Sequence, residues 1–162
     1  MEPPFSFFAM KIRPLSLIAL LASLAAVYSL TLARSVTWAN LATDSGDLIT
    51  AAAVGGVPHP TGYPLYSTLA GMFLNLPVGN PAFRLSVLSM VSALTAAALF
   101  GRVLRGLPLG PAWLAAAAFG VSPLVWSLAV VPEVYALNAA LWALAAWLTL
   151  RALNDAFAPG WP

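Results

Sequence analysis

An all-α, polytopic membrane protein is the fold class this sequence predicts. About four transmembrane helices are expected, with an outer loop that carries short interfacial helices. Three observations predict it. The chain of 162 residues is 61% hydrophobic and only 7% charged, whereas soluble chains carry about 25% charged residues. Its apolar stretches run to lengths near the roughly 20 residues of a spanning helix, which argues against a barrel. A single polar, turn-rich island, Asp44-Ser45-Gly46-Asp47 through His59-Pro60-Thr61-Gly62-Tyr63-Pro64, interrupts them and holds two carboxylates and the one histidine. A chain so apolar has little reason to keep such a segment unless it is used.

The elements follow in order. Residues 1–13 form a cytoplasmic head with Lys11 and Arg13. Leu15 to Ala33 runs without a charge and is long enough to cross about 30 Å of hydrocarbon. It exceeds the ~7–15 apolar residues of a signal peptide and reads as a membrane anchor. Arg34 to Pro81 is the outer connection. Inside it Leu65 to Leu76, stopped by Pro77, is too short to span and reads as an interfacial or re-entrant helix. Ala82 to Val103 is the second span, with Arg84 near its start and Arg102 and Arg105 at its end. After a tight turn, Gly106 to Gly110, the third span runs from Pro111 to Val131, kinked where Pro123 removes a backbone donor. A corner at Pro132-Glu133 leads into the fourth span, Val134 to Leu150, closed by Arg151. One membrane domain therefore covers 14–153, with spans at about 15–33, 82–103, 111–131 and 134–150 and an outer loop at 34–81. Residues 154–162 are a polar tail.

Charge placement orients these spans. With four of them, Lys11, Arg13, Arg102, Arg105 and Arg151 face the cytoplasm, and Arg34 and Arg84 face outward. Letting Leu65 to Leu76 also span would put four arginines outside, so the positive-inside rule selects the four-span arrangement. Both termini are then cytoplasmic, and Asp44, Asp47, His59 and Glu133 share the outer face. Six arginines against one lysine, with abundant alanine and leucine, suggest a GC-rich bacterial source and hence a bacterial inner membrane. No basic patch exists to bind nucleic acid. Without cysteine or a second histidine, a zinc site is not expected.

Within the island, Asp44 and Asp47 lie three apart and would share a helix face. One reading makes Asp44 an N-cap and Asp47 a first-turn acid; the other makes one a general base at the membrane surface. The two are compatible, because a capped helix start is a rigid mount. His59, between Pro58 and Pro60, cannot be helical; it is either a hydrogen-bonding surface residue or a contact to phosphate or sugar. Arg84 either snorkels to the interface or clamps a lipid phosphate. Glu133 follows Pro132 as in a common helix start, yet a carboxylate at the membrane edge is also a site candidate. Tyr135 and Asn138 could hydrogen-bond a polar ligand. Trp38, Trp126, Tyr63 and Tyr66 suit an aromatic belt.

In one order the chain carries Asp44-Ser45-Gly46-Asp47, Gly56 to Tyr66 (GVPHPTGYPLY), Asn80-Pro81-Ala82-Phe83-Arg84, Ser122-Pro123, Trp126-Ser127 and Glu133-Val134-Tyr135-Ala136-Leu137-Asn138. That series, from about Trp38 to Leu153, resembles a multi-pass membrane family of the GT-C class of glycosyltransferases. Its animal member is a protein O-mannosyltransferase acting on plexin-type domains. The resemblance implies the N-terminal part of a GT-C fold with its active site in the first outer loop. It implies a polyprenyl-phosphate sugar as donor substrate, and no cofactor is assigned beside it. Asp44 then maps to the base, with Asp47 second; His59, Tyr63, Arg84, Glu133, Tyr135 and Asn138 are expected to bind substrate or phosphate. The family usually has Glu where this chain has Asp47, and GT-C enzymes usually have more spans.

The expected partners are the lipid bilayer, the lipid-linked sugar and an acceptor protein or glycan. Further transferase segments or a second copy of the chain are expected beside them. The alternatives are a non-catalytic or truncated membrane module working with a larger transferase, and a small transporter. Acids deep within spans would mark a transporter; here they sit at the edges.

Overall fold

A computed structural model describes residues 14–104 and 112–156. Lys11, Arg13, Arg105 and the expected turn at 106–110 lie outside them, as does the tail beyond Ala156. The described chain is helical: α1 (Pro14–Thr31), a 3-10 turn (Ala39–Leu41), α2 (Ser45–Val54), α3 (Pro64–Phe73), α4 (Pro81–Leu104), α5 (Ala112–Val121), α6 (Pro123–Ala129) and α7 (Tyr135–Ala156).

Helix α4 is the centre, and each of the other α-helices packs on it. Its buried positions Leu85, Ser86, Leu88, Ser89, Ser92, Ala93, Ala96 and Ala97 repeat every three to four residues, the spacing of one helix face. Most are small, which lets neighbouring backbones approach closely where lipid tails supply no hydrophobic drive between helices. Gly120 does the same for α5, since a Cβ there would lie 2.6 Å from Leu24 Cδ1 of α1.

Helices α4 and α7 are each long and apolar enough to cross a membrane, and α5 with α6 makes a third crossing if the pair is one span. The kink expected at Pro123 is a bend of 63° between two helices. That break frees backbone groups, and side chains satisfy them. The buried Tyr28 hydroxyl donates to Gly120 O at 2.6 Å, and Ser122 Oγ accepts from Val125 N–H. The first expected span, 15–33, corresponds to α1, which runs Pro14–Thr31 and so ends two residues early. The helix stops there because the Ala33 amide turns away to donate to Val130 O at 2.8 Å. At the other end α7 outruns its expected close at Leu150 by more than a turn, with Arg151 and Asp155 paired at i,i+4 over 3.9 Å.

Between α6 and α7 the chain is irregular and yet buried: Val130, Val131, Pro132 and Glu133 are all below 2% exposed. Irregular backbone persists at such depth only when its polar groups find partners. Ser45 Oγ donates to Pro132 O at 2.7 Å, and Glu133 N–H donates to Ser89 Oγ at 3.1 Å. The Ser89 hydroxyl lies 3.2 Å from Glu133 O. The expected corner at Pro132-Glu133 is present, and the other reading, in which these two residues open a helix, does not hold: the last helix starts at Tyr135, and the Glu133 backbone is tied to α4.

Candidate functional site

The start of α2 brings the two aspartates to the surface. Asp44 occupies the N-cap position, but its side chain makes no capping bond and its backbone is already helical (φ −93°, ψ −8°). The helix start therefore leaves this carboxylate unused. Asp47, in the first turn, is committed elsewhere. Its Oδ2 accepts from the His59 backbone N–H at 2.8 Å and lies 2.7 Å from His59 Nδ1. Pro58 and Pro60 on either side stiffen the loop that presents this histidine.

The far side of the imidazole meets two more groups. Tyr63 Oη is 3.3 Å from His59 Nε2, and Asp44 Oδ2 is 3.7 Å from the same nitrogen. With Nδ1–H donating to Asp47, the neutral ring accepts the Tyr63 hydroxyl proton at Nε2; the protonated ring offers Nε2–H toward Asp44 or a ligand oxygen. Tyr63 stands in the left-handed region (φ 42°) as the residue before Pro64 at the start of α3. That turn aims α3 back over the island.

Glu133 comes in from beneath, carried by the buried segment between α6 and α7. Its residue is 1% exposed and neither carboxyl oxygen has a hydrogen-bond partner; the buried Tyr66 hydroxyl has none either. A buried polar group left unmade costs about 1–3 kcal/mol, so this cluster is an unusual place to leave three such atoms. Burial, and after it the charge of Asp44, pushes the Glu133 carboxyl up to about 7, while the Asp44 amide and the Ser45 hydroxyl nearby offset part of that rise. Burial and then the Glu133 charge raise the Tyr66 hydroxyl above the ordinary tyrosine value. Asp47 moves the other way: the His59 amide, then the His59 ring, hold it below the usual carboxylate value. Glu133 and Asp47, each acted on by His59, are thus pushed in opposite directions, a pattern that acid–base sites use.

A cavity of about 440 Å³ lies alongside, between α3 and the start of α7. Thr61, Tyr63, Pro64, Leu65 and Tyr66 form one wall; Val134, Tyr135, Leu137, Asn138 and Leu141 form the other. Tyr63 belongs both to this wall and to the histidine cluster.

Of the expected site residues, Asp44, Asp47, His59, Tyr63 and Glu133 are thus assembled in one place, with Tyr135 and Asn138 on the adjoining cavity. Arg84 is bonded elsewhere. Its guanidinium donates to Leu74 O (2.6 Å), Val78 O (2.8 Å) and Gly79 O (3.1 Å), tying down the loop before α4. Arg84→Lys is expected to lower stability by about 2 kcal/mol, because an ammonium cannot serve three divergent carbonyls. Thermal unfolding of the purified chain checks this. Sequence reading missed Tyr66 and Ser45. Tyr66 lies three residues after Tyr63, which itself precedes α3, and both line the same cavity wall; the close spacing of the two tyrosines was the available signal.

No group of three or more metal-ligating side chains occurs among the described residues. Residues 44–160 match the family described as the protein O-mannosyl-transferase TMEM260 N-terminal domain. Protein O-mannosyl-transferase TMEM260 of Mus musculus is 42% identical over 138 residues, covering 83% of this chain and 19% of that protein. Protein O-mannosyl-transferase tmem260 of Dictyostelium discoideum is 33% identical over 134 residues, covering 76% of this chain and 16% of its own length. The chain thus spans less than a fifth of the length of these curated relatives. No solved structure matches.

Proposed function

This chain belongs to the family of the protein O-mannosyl-transferase TMEM260 N-terminal domain, and we propose that it carries the acid–base site of a membrane glycosyltransferase. The reaction moves a sugar, mannose by the names of the relatives, from a polyprenyl phosphate to a hydroxyl of an acceptor protein on the outer face. Residence in a bacterial inner membrane with both termini cytoplasmic belongs to this proposal. It rests on the arginine bias and the positive-inside asymmetry; the relatives named above are eukaryotic.

The observation that carries the reading is the Asp44 carboxylate. It sits at a helix start without capping it and faces His59 Nε2 across 3.7 Å. Asp44 takes the proton of the acceptor hydroxyl, whose oxygen attacks the anomeric carbon; that carbon inverts as the lipid phosphate leaves with the bonding pair. Asp47 holds His59 by two contacts, and the protonated ring presents Nε2–H to the departing phosphate oxygen. Tyr135 and Asn138 contact the donor head group in the cavity, whose Leu65, Leu137 and Leu141 suit the first isoprene units.

The test is transfer from a radiolabelled polyprenyl-phosphate mannose in membranes that express the chain. Labelled acceptor supports the reading. No transfer with any donor, from a chain shown to be folded and inserted, replaces it with a non-catalytic module working beside further transferase segments. Asp47→Asn is expected to keep transfer but slow it about tenfold, the usual cost of removing a group that orients a reacting one. An unchanged rate would remove Asp47 from the site.

A further inference from the structure

Three buried polar atoms remain without a protein partner: the two Glu133 carboxyl oxygens and the Tyr66 hydroxyl. They belong to one neighbourhood, since the charge of Glu133 acts on Tyr66 and that of Asp44 acts on Glu133. Tyr66 lines the cavity wall, as does Val134, the residue after Glu133. Tyr66 is thus part of the wall itself, while Glu133, one residue before Val134, lies behind that wall within reach of the Asp44 charge.

We propose that Glu133 and Tyr66 form a subsite for one hydroxyl of a neutral, polyhydroxylated ligand, the sugar of the lipid-linked donor. A protonated carboxyl offers one donor and one acceptor, and a phenol offers the same. A sugar hydroxyl, which both donates and accepts, pairs with the two together. An anion does not suit the place, because Asp44 supplies negative charge beside it, an anion would oppose any ionised Glu133, and the cation facing Glu133 is at most a protonated His59. The Arg84 guanidinium is tied to loop carbonyls. The subsite rests on the transferase reading and narrows it: this end of the cavity recognises sugar, and the phosphate lies on the His59 side. The groups facing Glu133 are Asp44, Ser45, His59 and Tyr66, and ionisation of Glu133 removes its donor.

The experiment measures binding of two probes to the full chain in detergent by tryptophan fluorescence. The probes are a polyprenyl-phosphate mannose and the same polyprenyl phosphate without sugar. The wild type is expected to prefer the mannosylated lipid by about tenfold, roughly one good hydrogen-bonding contact. Tyr66→Phe and Glu133→Ala should each bring that ratio to about one, whereas Glu133→Gln, which keeps a donor and an acceptor, should preserve it. Wild-type preference should fade above pH 7 and persist in Glu133→Gln. Tyr66→Phe removes a single oxygen, so the test stands even if Glu133→Ala does not fold. No sugar preference in the wild type, or a preference that survives both truncations, overturns the subsite and leaves the three atoms to water. Transfer activity is a separate readout. A chain that transfers sugar with an unchanged ratio loses the subsite alone; one that prefers the sugar through these residues but transfers nothing loses the transferase reading alone.

Discussion

Asp44→Asn is expected to lower sugar transfer by about a hundredfold or more, the span of effect seen when a general base is removed. The substitution separates the two roles open to this residue. Asparagine caps helices as well as aspartate does, so a purely structural Asp44 predicts an unchanged rate. The helix start of α2 should survive in either case, because Asp44 makes no side-chain capping bond to lose and the Leu48 amide still donates to residue 44 O. What changes is the proton. An amide oxygen opposite His59 Nε2 cannot take one from an incoming hydroxyl. The measurement is the initial rate of label transfer at saturating donor, beside thermal unfolding of the same preparation. A rate within twofold of wild type would return Asp44 to the helix start and leave His59 as the base.

Much of this architecture was legible in the sequence because its signals are local. Charge-free runs gave the long helices and Pro123 gave the break; the short outer helix ends at Phe73, three residues before the Leu76 that a stop at Pro77 implied. The island's residues were also legible as a group, since their order follows the family. The features that escaped notice depend on contacts between distant residues. Ser45 reaches Pro132 and Ser89 reaches Glu133 across 87 and 44 positions of the chain, and no local pattern announces either bond. Without them Pro132-Glu133 reads as an ordinary helix start, although it is a buried irregular segment. The same holds for Arg84: at a membrane edge an arginine suggests snorkelling or phosphate, and only the path of the loop before α4 shows which carbonyls it serves.

That buried segment sets the second large effect. Glu133 ionises at 4.5 in an unfolded chain and is pushed up to about 7 in the folded one, first by burial and then by the charge of Asp44. Below pH 4.5 both states hold the proton, and the carboxyl favours neither. As pH rises toward 7 the unfolded chain releases it while the folded chain retains it, so the unfolded state gains. Stability is therefore highest on the acid side and falls as pH climbs, with the full loss present once the folded carboxyl has also ionised. At about 1.4 kcal/mol per pH unit, the loss is on the order of 3 kcal/mol. Asp47 opposes this only at lower pH, since its lowered value contributes stability that disappears on acidification. Glu133→Gln cannot ionise, so it should match the wild type near pH 5 and exceed it at pH 8. Thermal unfolding in detergent between those values reads the difference, and parallel wild-type and Glu133→Gln curves would show that the buried carboxyl carries no such cost. Asp44→Asn should flatten the wild-type slope in part, because it removes the second cause of the rise and leaves the first.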